Sequence, residues 1–132
     1  MVRSITTLAS IQTFAVVDLN LDGRPDVAVN AASSLRVFAG LGMGTFTSSA
    51  ITTVTTNATV TDVVRGDFDQ DGRPDLAVAS GSGVLFFRGP GNGTLTAQPT
   101  QPTLIGRLKV SDLDNDGLLD LVVITAAGDF HT

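Results

Sequence analysis

The chain has 132 residues, enough for one domain with a buried core, and 42% of them are apolar, with 14 Gly and 5 Pro to supply turns. A net charge of −5, with eight scattered basic residues, argues against a nucleic-acid backbone as partner. The absence of Cys excludes disulfides, thiolate metal sites and Cys nucleophiles, and the absence of Trp and Tyr removes the usual sugar- and base-stacking side chains.

No apolar run approaches the roughly 20 residues needed to span a bilayer. Met1-Val2-Arg3-Ser4-Ile5-Thr6 lacks the apolar core of a secretory signal. From there the chain reads as short β-prone runs separated by turns. The first are residues 4–8, 14–17, 27–29 and 35–39. A Gly-rich turn, Gly42-Met43-Gly44-Thr45-Phe46, leads to a run at 50–54 that is a twin of 4–8. The series then recurs at 60–64, 76–79 and 84–88, with a second turn at Gly91-Asn92-Gly93-Thr94-Leu95. A third series runs through 108–110 and 121–124 to a shortened run near Gly128-Asp129-Phe130. Thr, Val and Gly dominate and no 3.6-residue period appears, so no helix is expected.

All 13 acidic residues are Asp, and only Asp62 and Asp129 lie outside three short clusters. The clusters align without gaps as Asp18-Leu19-Asn20-Leu21-Asp22-Gly23-Arg24-Pro25-Asp26, Asp67-Phe68-Asp69-Gln70-Asp71-Gly72-Arg73-Pro74-Asp75 and Asp112-Leu113-Asp114-Asn115-Asp116-Gly117-Leu118-Leu119-Asp120. Their starts lie 49 and 45 residues apart, a period typical of a propeller blade. The predicted fold is all-β, with about three blades of four antiparallel strands. Approximate units are 1–46, 47–95 and 96–132, each written as fourth, first, second and third strand.

Oxygens at alternate positions of a tight loop converge on one point. That suits a hard cation wanting six to eight oxygen ligands, and a flexible, oxygen-rich loop suits calcium better than magnesium. Carboxylates packed this closely repel one another unless a cation sits among them. The first, third, fifth and ninth side chains are the expected ligands. The backbone carbonyl of the seventh residue (Arg24, Arg73 or Leu118) completes the set, and the sixth-position Gly permits the turn. Zinc is disfavoured, since the chain has no Cys and its one His, His131, lies near the end. Asn20 removes one charge from the first loop, which is expected to bind more weakly. An EF-hand is excluded, because position twelve is Val29, Val78 or Val123 rather than Glu. Metal-free Asp-rich turns are the plain alternative.

The loops and their flanks resemble the FG-GAP/VCBS repeats of integrin α-subunit propellers and bacterial surface proteins. The resemblance implies four-stranded blades around an axis, each with a calcium loop between its first two strands, and an extracellular or cell-surface setting. Carried over by position, the metal ligands are Asp18, Asn20, Asp22, Arg24 and Asp26. Those of the second loop are Asp67, Asp69, Asp71, Arg73 and Asp75. Those of the third are Asp112, Asp114, Asp116, Leu118 and Asp120. Up to three Ca2+ per chain are therefore expected.

Propellers usually carry four to eight blades, and three would leave two faces open. The chain is expected either to be a fragment of a larger protein or to assemble with copies of itself, head to tail. Two copies would give six blades. The run at 4–8 would then complete a neighbour's last blade. No catalytic constellation is visible, so the expected role is a non-enzymatic module for binding or adhesion, without membrane insertion, whose partner is itself, a glycan or a protein. A lectin propeller and a designed or reconstructed repeat fragment stand as alternatives.

Several lesser motifs have plainer readings. Arg65-Gly66-Asp67 spells an adhesion tripeptide, but Asp67 is claimed by the metal loop. Asn57-Ala58-Thr59 and Asn92-Gly93-Thr94 match the glycosylation triplet, which chance supplies in Thr-rich chains. Gly40-Leu41-Gly42-Met43-Gly44 and Gly89-Pro90-Gly91-Asn92-Gly93 precede no helix, so they read as turns rather than phosphate cradles. Arg24 and Arg73 read as solvated arms beside the carboxylates. Because Asp71 is an expected metal ligand and Asp62 lies outside the clusters, loss of Asp71 is expected to matter more than loss of Asp62.

Overall fold

The computed structural model describes residues 11–100 and 104–131, and excludes the side chain of Phe130. Among them no helix forms; the elements are thirteen β-strands. The expected strand at 4–8 lies outside the described residues.

The first sheet has four antiparallel strands in the order β1 (Phe14–Val17), β2 (Asp26–Ala31), β3 (Ser34–Phe38) and β6 (Thr52–Thr55). A small hairpin, β4 (Gly40–Gly42) with β5 (Thr45–Phe46), interrupts it between β3 and β6. Met43 and Gly44 at its tip both take positive φ, the signature of a tight hairpin turn. The second sheet repeats the plan with β7 (Val60–Gly66), β8 (Asp75–Ser80), β9 (Gly83–Arg88) and β10 (Thr96–Ala97). The third holds β11 (Gly106–Ser111), β12 (Asp120–Thr125) and β13 (Phe130–His131). The all-β expectation therefore holds, with two four-stranded sheets and one three-stranded sheet of propeller type.

The inner strands stand side by side, β1 against β7 and β7 against β11. Period-two alternation then sends each strand's side chains into two different cores. Leu76 and Val78 of β8 pack toward the first sheet, with Ala15, Val17, Leu19, Leu35 and Val37. Their neighbours Ala77 and Ala79 face the other way, onto Leu108 and Val123 of the third sheet. This explains why β8 is a continuous apolar run buried along its whole length, as is typical of a strand covered on both faces.

The outer sheets are open only in part. Phe14 and Val16 are exposed on the first sheet, and Ile124 on the third. The far side of β2 is partly capped, since Val27, Val29 and Phe38 gather under Phe46 and Ala50.

Candidate metal centre

Each Asp cluster is the connection between the first two strands of its sheet: β1 to β2, β7 to β8 and β11 to β12. The loop folds on its own hydrogen bonds. In the second loop, Asp67 accepts from the Asp71 amide at 3.1 Å and the Gly72 amide at 2.8 Å. Asp69 accepts from Asp71 at 3.2 Å, and Asp71 accepts from Arg73 at 2.9 Å. The first loop repeats this network through Asp18, Asn20 and Asp22. The third keeps most of it, with Gly117 bonded to Asp112, Asp116 to Asp114 and Leu118 to Asp116. The sixth-position glycines have φ of +80°, +80° and +89°, a conformation that disfavours any side chain. The fourth position is also left-handed, at Leu21, Gln70 and Asn115. For a Leu this is a local strain of about 1 kcal/mol that the loop must hold in place.

These bonds turn the side chains at positions one, three and five toward one another. One oxygen from each of Asp67, Asp69 and Asp71 lies within 4.8 Å of the others, and Asp112, Asp114 and Asp116 converge in the same way. Both triads could hold a metal ion. The first loop has the same hydrogen-bonded frame, with Asn20 in the middle position. The donor set fits a hard cation: the third loop leaves a buried oxygen, Asp112 Oδ1, without any hydrogen-bond partner.

The ninth-position carboxylates, also expected as ligands, make hydrogen bonds beyond the loop. Asp26 and Asp75 are buried. Asp75 accepts from the Phe68 amide at 3.0 Å and the Gly89 amide at 2.8 Å. Asp26 accepts from Leu19 at 3.0 Å and from Gly40 at 2.9 Å. Each therefore ties the Asp-rich loop to the end of the third strand of its own sheet. Gly40 and Gly89 are required there, because a Cβ would collide with the carbonyl oxygen of Pro25 or Pro74. Asp120 keeps half of this arrangement, accepting from Leu113 at 2.8 Å.

The loops also reach the neighbouring sheet. Leu19 is fully buried in the core between the first two sheets. Its carbonyl accepts the Gly93 amide at 3.0 Å, from the Gly-rich turn of the second sheet. Phe68, its counterpart, packs edge-on against Phe86 with ring centroids 5.6 Å apart, in the next core.

Three features have no counterpart in the motif pattern. Arg88, at the end of β9, places Nε 2.6 Å from Asp69 Oδ2 and Nη2 2.7 Å from Asp71 Oδ2. Its guanidinium holds the Asp71 carboxyl below the ordinary carboxylate range, against an opposing effect of desolvation. The second is Asp62. Its carboxylate accepts from the Leu108 amide of the third sheet at 3.0 Å and from Thr13 Oγ1 beside the first at 3.2 Å. It joins three sheets, a role that charge counting passes over. The third is a groove of about 450 Å³ lined by Arg65, Asp67, Arg73, Pro74, Val110 and Leu119. Asp67 opens into it, with one loop amide bonded to each of its carboxylate oxygens.

Repeated four-stranded sheets, each with an Asp-rich connection between its first two strands, define a blade-repeat protein of propeller type. The model of the FG-GAP-like repeat matches residues 18–78 and again 67–123, and the chain belongs to that family. A search of curated proteins gave no match.

Proposed function

We propose that the chain is a calcium-binding, non-enzymatic propeller module that acts by binding or adhesion at a cell surface or outside the cell. The convergence of three carboxylates from alternate positions, twice in one chain, carries this reading. Asp18, Asn20 and Asp22 would hold an ion in the first loop. Asp67, Asp69 and Asp71 would do so in the second, and Asp112, Asp114 and Asp116 in the third. The carbonyls of Arg24, Arg73 and Leu118 would add a ligand to each. Asp26, Asp75 and Asp120 would act mainly as anchors that fix the loop on its sheet. The metal would neutralise carboxylates that otherwise repel, and so stiffen the first two loops, whose second residues Leu19 and Phe68 pack into the cores between sheets.

The open faces at Phe14, Val16 and Ile124 support head-to-tail assembly with further blades, supplied by copies of the chain or by a longer protein. Calcium titration followed by circular dichroism melting tests the metal reading. Binding of an ion by the folded state alone raises the melting temperature by mass action, and chelator should lower it. A melting curve identical in millimolar calcium and in chelator would refute it. Light scattering tests assembly: a mass of two chains supports a six-blade ring, and a cooperatively folded monomer overturns it.

A further inference from the structure

All the ion pairs among the described residues belong to the second loop. The oxygens that Arg88 engages, Asp69 Oδ2 and Asp71 Oδ2, are the two that the loop backbone leaves free. Their partners Asp69 Oδ1 and Asp71 Oδ1 are occupied by the amides of Asp71 and Arg73. A guanidinium is charged at every accessible pH, and its planar fork suits two carboxylate oxygens held side by side.

The first-sheet counterpart of Arg88, 49 residues earlier, is Ala39, and the counterpart of Asp69 is Asn20. The extra carboxylate and the extra cation thus occur together in the second unit and are both missing from the first. A surface ion pair of this kind contributes little to folding. Its effect on an incoming cation is larger, because the guanidinium sits on the oxygens the ion would use.

The geometry points to Arg88 as an internal competitor cation, which closes the second loop in the metal-free protein and must leave Asp69 and Asp71 before a divalent ion can bind there. This rests on the calcium reading and refines it. The second loop, despite its three carboxylates, binds more weakly than its charge suggests. Its occupancy is set by a residue on β9, outside the loop and brought to it only by the fold.

The test is a calcium titration of the ¹⁵N-labelled 132-residue chain at low salt, followed by NMR. The amides of Gly23, Gly72 and Gly117 report the three loops separately, and the Arg88 Nε–H resonance reports the guanidinium. In the wild type, the Arg88 signal should move at the same calcium concentration as Gly72. Arg88→Ala should lower the Gly72 midpoint by about tenfold, since one positive charge is removed beside a divalent ion in a half-exposed site. The Gly23 and Gly117 midpoints should not change. Arg88→Lys, which keeps the charge but loses the two-pronged fork, should fall between Arg88→Ala and the wild type. An unchanged or raised Gly72 midpoint in Arg88→Ala, or a wild-type Arg88 signal indifferent to calcium, overturns the proposal while Gly23 and Gly117 still titrate. If none of the three glycines responds to millimolar calcium, the metal reading itself falls.

Discussion

Replacing Asp75 separates the structural carboxylates from the ones proposed to hold a cation. Asp75 is only 3% exposed, and its two oxygens accept the amides of Phe68 and Gly89. Asp75→Ala leaves the buried amide of Gly89 and the part-buried amide of Phe68 without a partner. Each unsatisfied donor costs about 1–3 kcal/mol, so the expected loss is about 2–6 kcal/mol. That is a large share of the roughly 5–15 kcal/mol that stabilises an ordinary domain. Asp75→Asn keeps one acceptor and turns a donor toward the other amide, so it should recover less than half of the loss. Asp69→Ala, at an exposed position, should cost far less. Urea denaturation in excess chelator gives the comparison free of metal, and circular dichroism must follow it because the chain has no Trp or Tyr. Equal urea midpoints for Asp75→Ala and Asp69→Ala would refute the anchoring role.

Gly89→Ala should destabilise by about 1–3 kcal/mol, since the new methyl meets the Pro74 carbonyl and the Leu19 side chain. Gly81→Ala, where the methyl meets only Ala58 at 3.6 Å, should be mild in the same urea assay. Asp62→Ala should cost about 1–3 kcal/mol through the lost bonds to Leu108 and Thr13, and slow exchange of the Leu108 amide should disappear with it. The Arg88 pairing sets a pH dependence. A carboxyl whose folded value is depressed contributes stability above the ordinary Asp value, about 3.9, and loses it as pH falls through the lower folded value. The Asp71 carboxyl carbon should therefore titrate at lower pH in the wild type than in Arg88→Ala.

The three loops were legible in the sequence because their residues are contiguous: nine positions suffice to place three side chains at alternate positions and the glycine that follows them. The strands were legible because β2 and β8 are buried on both faces and so read as unbroken apolar runs. Arg88, Asp62 and the anchoring by the ninth carboxylates were not, since each depends on strands that meet only after folding. One signal was available. Asp26 to Gly40 and Asp75 to Gly89 both span fourteen residues, and that repeated interval marks the carboxylate that receives the glycine amide. Arg88 precedes Gly89 directly and carries no repeat at all, because its counterpart is Ala39.

The middle sheet sends alternate side chains of β8 into separate cores, so the outer sheets meet their hydrophobic partners through it. It acts as a keystone. A fault introduced there should loosen both flanks together, whereas damage to β13 should stay local. Deuterium uptake would then be slowest at Val78 and Ala79 and would quicken toward either rim.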